Sequence, residues 1–87
     1  MSTAVVGQKF EVQVIYNGVT KPLAVEPHQN MTAVVQLAAH LFGITDAHTL
    51  ALFKEDGSEV SVNQSVTEAG LRPGELLALR PSAVRGG

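Results

Sequence analysis

The feature that most constrains the fold is an Asn17-Gly18 pair between two runs with the pattern of β-strands. In residues 10–16, apolar and polar side chains alternate with a period of two as far as Ile15, which predicts a half-buried strand. Asn-Gly accepts the positive φ angles of a type I′ turn, so residues 19–26 are predicted to return as the second strand of a hairpin. Pro22 cannot donate a ladder hydrogen bond, which places this second strand at a sheet edge.

One main helix is predicted after the hairpin. Asn30 can cap its start, and Gly43 is a typical stop. The apolar residues between them recur at three- and four-residue steps along one face: Met31, Val34, Val35, Ala38, Leu41 and Phe42. Because Val34 and Val35 are weak helix formers, we expect the helix to depend on packing against a sheet.

The second half of the chain contains shorter elements. Residues 49–54 predict a strand, residues 59–62 a short strand, residues 66–70 a single helical turn and residues 76–80 a last strand. Before that last strand, Pro73 and Gly74 stand where a type II turn favours proline and glycine. This order predicts an α+β fold, a mixed four- to five-stranded sheet with one main helix packed across it.

The length permits one small domain. A chain of 87 residues has no room for a second core, and 45% hydrophobic residues suffice for a globular fold. We expect residues 1–8 to be a flexible N-terminal segment, residues 9–80 to form the domain, and residues 81–87 to be a flexible tail.

Composition excludes several classes of function. The chain has no cysteine, which rules out disulfides, thiolate catalysis and cysteine-ligated zinc. Its net charge of −2 is spread without a basic patch, so neither nucleic acid nor a membrane is expected as a partner. No apolar run approaches the roughly 20 residues that cross a bilayer. We expect a cytoplasmic monomer.

We also expect no enzymatic activity, no metal site and no cofactor. His28, His40 and His48 lack the spacing of a metal-binding helix face and are interpreted as solvated surface residues. No grouping of serine, histidine and acid suggests a nucleophile, and no glycine-rich loop follows a strand to hold phosphate.

The tail is where the sequence itself suggests chemistry. The last three residues are Arg85, Gly86 and Gly87. Glycine has no Cβ, so two glycines can lie extended in a slot too narrow for any other residue and present a carboxylate at its end. Such a tail suits an enzyme that activates the C-terminus of a protein.

Several short motifs resemble ubiquitin in order and approximate spacing. They are Val25-Glu26-Pro27, the helix cap Asn30, Leu50-Ala51-Leu52-Phe53, Glu55-Asp56-Gly57 and Arg85-Gly86-Gly87. The chain therefore resembles the ubiquitin-like β-grasp proteins over residues 10–87. The resemblance implies a protein modifier: Gly87 would be adenylated and conjugated, Gly86 would be its slender neighbour in the enzyme channel, and Arg85 would contribute to recognition.

The resemblance also implies partners and a binding face. The partners would be an activating enzyme, a conjugating enzyme, a deconjugating protease and a target protein joined through Gly87. The binding face would be an apolar patch of Leu52, Leu77 and Leu79, with Ala51, Phe53, Leu76 and Ala78 pointing inward by alternation. Both strands are apolar on consecutive residues, however, which is also typical of strands covered on both faces.

Two other functions remain open. One is a sulfur carrier, similar to the small subunit of molybdopterin synthase or the thiamine-pathway carrier, with a thiocarboxylate at Gly87. The other is a non-conjugated binding subunit that uses only the sheet face. The only lysines are Lys9, Lys21 and Lys54, which favours single attachment or a carrier role over polymer chains. Lys21 falls on the inward register of its strand, so its head should snorkel, or a bulge at Pro22 should turn it outward.

Overall fold

The computed structural model of the protein describes residues 9–82. In chain order its elements are β1 (Phe10–Tyr16), β2 (Val19–Val25), α1 (Met31–Leu41), β3 (Leu50–Phe53), α2 (Val66–Ala69) and β4 (Leu76–Pro81). The described strands form one sheet in the order β2-β1-β4-β3. β1 pairs antiparallel with β2 and parallel with β4, and β3 pairs antiparallel with β4, so the expected mixed sheet is confirmed.

The hairpin forms as the sequence predicts. Asn17 and Gly18 have φ angles of 56° and 82°, the positive values that a type I′ turn requires. β2 lies at the sheet edge, where its Pro22 pairs with Gln13 in an unbroken register. Because no bulge interrupts that register, Lys21 keeps its inward position and its side chain snorkels: its Nζ lies 3.4 Å from the Leu41 carbonyl oxygen at the end of α1.

The helix α1 crosses one face of the sheet and closes the core. Its buried residues are Met31, Val34, Val35, Ala38 and Ala39, and Leu37, off the main stripe, is 42% exposed. α1 ends as predicted, since Gly43 has a φ of 75° and the amide of Ile44 donates to the Ala39 carbonyl. No helix in the described range is long and apolar enough to cross a membrane.

The predicted short strand at residues 59–62 is wrong. Only Glu59 pairs, in an isolated bridge with Phe53 at the edge of β3, and the amide of Val60 donates to the Leu52 carbonyl. Four strands are therefore present among residues 9–82. The type II turn before β4 is confirmed, because Gly74 has a φ of 79° and the amide of Glu75 donates to the Arg72 carbonyl at 3.1 Å.

Candidate functional site

The predicted patch of Leu52, Leu77 and Leu79 is wrong, because all three leucines lie in the core. Their exposed fractions are 0%, 0% and 2%. They pack in one cluster with α1 residues such as Met31 and Val34. A partner could reach them only by displacing the helix, so they cannot form a binding face.

The pairing of β4 with β1 sets which side chains point inward. Val14 of β1 is fully buried and is paired with Leu77, while Leu52 of β3 is paired with Leu79. Residues paired across a sheet share a face, so both leucines of β4 follow Val14 into the core. By alternation, Leu76 and Ala78 point to the other face, the reverse of the predicted phase.

The face of the sheet opposite α1 is the surface that the fold offers to a partner. We call Ile15, Phe53, Leu76, Ala78 and Arg80 the outer sheet face. Ala78 stands in the middle of a row across three strands, paired with Ile15 on one side and with Phe53 on the other. Ile15, Leu76 and Ala78 are each half-buried, which leaves a modest apolar surface at the centre of the sheet.

Arg80 covers one side of this surface. Its guanidinium carbon lies 4.7 Å from the centroid of the Phe53 ring, within the range of a cation–π contact. The Phe53 ring is only 6% exposed, and Ala51 beside it is fully buried, although neither belongs to the core cluster. β3 is thus covered on both faces, the alternative that its continuous apolar run left open. The outer sheet face combines an apolar centre with one arginine at its side.

The last described residue ties the end of β4 to its neighbours. Ser82 is 2% exposed, its amide donates to the Thr49 carbonyl at 2.7 Å, and its hydroxyl donates to a Glu59 carboxylate oxygen at 2.6 Å. The predicted boundary after residue 80 is therefore too early, because Pro81 belongs to β4 and Ser82 is buried. These hydrogen bonds extend the β3–β4 pairing to Ser82.

The predicted tail residues Arg85, Gly86 and Gly87 lie outside the described residues, as does the predicted N-terminal segment of residues 1–8. These tail residues follow Ser82, the last residue that the structure describes. Five residues separate Ser82 from the end of Gly87, a length that spans at most about 16–18 Å when fully extended.

The histidines form no cluster in the described part of the chain. No group of three His, Asp or Glu side chains between residues 9 and 82 has the geometry to hold a metal ion. His28 approaches Glu26 at 3.2 Å, with the His28 side chain 75% exposed and the Glu26 side chain 36% exposed. The absence of a metal site from the whole chain stays a prediction.

The sequence contained a signal that identifies the outer sheet face. Arg80 ends the apolar run of β4, and a charged side chain belongs on the solvated face of a sheet. Counting back in steps of two from Arg80 reaches Ala78 and Leu76, which assigns Leu79 and Leu77 to the core. The charge of Arg80 thus favours the observed phase of β4, whereas the resemblance to ubiquitin favoured a patch of leucines.

Several solved structures contain chains with a similar fold. A protein designed de novo on the basis of ubiquitin matches with a TM-score of 0.74 and 18% identity, over 86% of this chain and 90% of the design. A chain in the crystal structure of ATBAG1 in complex with HSP70 matches with a TM-score of 0.73 and 14% identity, over 87% of this chain. A chain in the pParkin-pUb-UbcH7 complex matches with a TM-score of 0.74 and 21% identity, also over 87%.

These likenesses show the fold. The chain has the ubiquitin-like β-grasp fold, a mixed sheet with one main helix packed across it. It spans 42% and 24% of the chains matched in the ATBAG1 and pParkin structures, so in those proteins a domain of this kind is part of a longer chain. No model of a known protein family matches this sequence, and no curated protein matches it.

Proposed function

We propose that this chain is a ubiquitin-like protein modifier, conjugated through the carboxylate of Gly87 to an amine of a target protein. The observation that carries the proposal is Arg85-Gly86-Gly87 directly after a β-grasp domain whose last strand is tied down through Ser82. The proposal requires Gly87 to carry a free carboxylate, whether as encoded or after cleavage of a longer chain.

The proposed chemistry has three steps. The Gly87 carboxylate attacks the α-phosphate of ATP, expels pyrophosphate and becomes an acyl adenylate. A cysteine thiolate of the activating enzyme then displaces AMP to give a thioester, and an amine of the target displaces the thiolate to give an amide. This chain has no cysteine, so we assign the thiolates and the catalysis to its partners and propose that the chain itself is not an enzyme.

The glycine pair and its reach support this role. Residues without a Cβ can enter a channel that excludes larger side chains, and Arg85 can be recognised by its charge at the channel mouth. With a span of at most about 16–18 Å beyond Ser82, the tail can enter an active site while the folded domain stays outside. We propose an activating enzyme, a conjugating enzyme and a deconjugating protease as partners, with a cytoplasmic monomer as the working state.

The test is activation of the purified chain. The protein is incubated with ATP and candidate activating enzymes, and every product is measured by intact mass and peptide mapping. We expect a thioester and then a conjugate joined at Gly87, both absent from a variant lacking Gly86 and Gly87. Folding of that variant is checked by circular dichroism, so that loss of conjugation is not attributed to unfolding.

The same masses decide between the modifier and the sulfur carrier. Exchange of one carboxylate oxygen of Gly87 for sulfur, with no protein conjugate, would replace the modifier proposal with a carrier. Failure of every candidate enzyme to activate the chain, together with full function of the truncated variant in its host, would exclude both.

A binding subunit without conjugation is the second candidate, and the outer sheet face favours it. Ile15, Leu76 and Ala78 are half-buried on the two central strands with Arg80 beside them, a surface suited to another protein. Two structural neighbours come from complexes with other proteins, which supports a protein partner. Ala78→Asp should abolish such binding, measured by calorimetry, and leave activation at Gly87 intact.

A further inference from the structure

The three lysine side chains differ in their burial and in the contacts that their amines make. Lys54 follows β3, and its Nζ donates to the Ala69 carbonyl oxygen at 2.7 Å. Ala69 ends α2, so the ammonium neutralises partial negative charge at a helix C-terminus. The Lys54 side chain is half-buried and its amine is already engaged.

Lys21 is held more loosely at the end of the other helix. Its Nζ lies 3.4 Å from the Leu41 carbonyl oxygen and 5.3 Å from the centroid of the Phe42 ring. The residue is exposed, and the hydrogen bond is long. An incoming reagent therefore has to break weaker interactions at Lys21 than at Lys54.

Lys9 differs from both. It precedes β1 and is exposed, and its side chain makes no hydrogen bond, ion pair or ring contact with any residue in the described range 9–82. Acylation of its amine would neither remove a helix cap nor require a buried side chain to move.

We propose that Lys9 is the preferred acceptor for acylation among the lysines of this chain. Lys54 is a poor acceptor because its amine is hydrogen-bonded and its side chain is half-buried. The nature of the acyl group, the Gly87 carbonyl of a second copy, rests on the proposed function and departs from the single attachment expected from the small number of lysines. The order in which the lysines react does not depend on it. In the step itself, the neutral Lys9 amine attacks the carbonyl carbon of a Gly87 thioester. The new C–N bond forms, the C–S bond breaks with its electron pair on sulfur, and the proton lost by nitrogen passes to the leaving thiolate.

Strand direction makes this bond one between two copies. β1 and β4 are parallel, and Gln13 is paired with Leu76. Lys9 precedes that pair and Ser82 follows it, so they lie at opposite ends of the sheet. Ten residue steps separate their positions along the strands (13 − 9 = 4 and 82 − 76 = 6), about 33 Å at a rise of about 3.3 Å per residue. The at most about 16–18 Å available beyond Ser82 does not bridge this distance within one molecule.

The predicted order of lysine reactivity toward acylation is tested without any enzyme. The full chain is treated with a limiting amount of N-hydroxysuccinimidyl acetate, and acetylation at each lysine is followed by mass spectrometry. We expect Lys9 to react first, Lys21 next, and Lys54 about tenfold more slowly than Lys9, since its charge-assisted hydrogen bond has to open. In concentrated guanidinium chloride the three rates should converge. Equal rates at Lys54 and Lys9 in the native protein, or an unchanged difference in the denatured protein, would overturn the proposal.

The second arm uses the acyl group itself. A chain carrying a Gly87 thioester, prepared by thiolysis of an intein fusion, is mixed with a copy that has a free carboxylate, and lysine-linked dimers are mapped. Lys9→Arg should remove most of the lysine-linked dimer, whereas Lys54→Arg should leave it unchanged. A dimer formed mainly through Lys54 contradicts the proposal. Because neither arm needs an activating enzyme, a failure here is distinct from failure of the proposed function.

Discussion

At the scale of single residues, neighbouring leucines of β4 have opposite environments. Leu77 is fully buried beneath α1, whereas Leu76 is half-buried on the outer sheet face. Truncating a buried leucine removes transfer free energy and leaves a cavity, while truncating one at the surface removes only part of its burial. The loss of stability on truncating Leu77, compared with the loss on truncating Leu76, therefore shows which face of β4 contacts the core.

We expect Leu77→Ala to lower the free energy of unfolding by about 2–5 kcal/mol. The matched control, Leu76→Ala, should cost no more than about 1 kcal/mol because its side chain stays partly in water. Both are measured by urea unfolding. If Leu76→Ala proved the more damaging substitution, the assigned phase of β4 would be wrong.

The environment of Asp56 changes its acidity. The Ser58 hydroxyl donates to its carboxylate at 2.7 Å and the Ser58 amide donates at 2.9 Å; these two bonds, the hydroxyl first, lower the pKa of Asp56 from its ordinary value. The ionised carboxylate favours the folded turn above the pKa of the unfolded chain. That benefit is lost as the pH falls through the lower pKa of the folded state.

Ser58→Ala should therefore raise the pKa of Asp56 toward the ordinary value, because the hydroxyl donor is removed and the amide donor remains. The carboxyl carbon is followed by NMR as the pH is lowered. Ser61→Ala, which removes a hydroxyl that accepts from the Asn63 amide, serves as the control and should leave the titration of Asp56 unchanged. Identical titrations in Ser58→Ala and in the parent protein would contradict the assigned cause.

At the scale of elements, the two helices begin in different ways. Ser65 caps α2 through a complete capping box: its hydroxyl accepts from the Glu68 amide at 3.1 Å, and the Glu68 carboxylate accepts from the Ser65 amide at 2.8 Å. Asn30 stands at the cap of α1, but its side chain makes no capping hydrogen bond. The first amide of α1, that of Met31, donates to the Gln64 carbonyl at 2.8 Å, so a residue distant in sequence supplies its acceptor.

Ser65→Ala should cost about 0.5–2 kcal/mol of unfolding free energy, since it leaves the start of α2 without its side-chain acceptor. Asn30→Ala, the equivalent change at the other helix, should cost less than about 0.5 kcal/mol, because no side-chain hydrogen bond is lost. Thermal unfolding of the two variants provides the comparison. A larger loss in Asn30→Ala would show that its side chain does cap α1.

At the scale of the whole molecule, β1 and β4 form the centre of the sheet. β1 is bonded to β2 and β4, and β4 to β1 and β3, whereas β2 is an edge strand that contains Pro22. Opening β4 would separate β3 from the rest of the sheet and expose the leucines that pack against α1. Local stability should therefore be highest in the two central strands.

Hydrogen exchange tests this expectation. We expect the slowest amide exchange at the buried positions of β1 and β4, such as Val14 and Leu77, and faster exchange along β2, which can open without disrupting the centre. The measurement is native-state exchange followed by NMR in low denaturant. Protection in β2 equal to that in β4 would contradict the described strand order as the determinant of stability.

Most elements could be predicted because their signals are local. The alternation in β1, the positive φ angles demanded at Asn17-Gly18 and the glycine stop of α1 each depend on a few adjacent residues. The short strand at residues 59–62 failed because pairing needs a partner edge in register, and Glu59 alone finds one at Phe53. Asn30 occupies the predicted N-cap position of α1, but its side chain makes no capping hydrogen bond.

The sequence by itself determined the hairpin, the single main helix, the order of the strands along the chain and the glycine-terminated tail, because each is encoded by neighbouring side chains and backbone preferences. Only the tertiary structure decided which face of β4 lies against α1 and that β3 is covered on both faces. The apolar residues of both strands are consecutive, so the apolar pattern fits either phase and only the charge of Arg80 favours one; the pairing of Val14 with Leu77 across the sheet makes the choice. The same pairing transfers the candidate binding surface from Leu52, Leu77 and Leu79 to the outer sheet face.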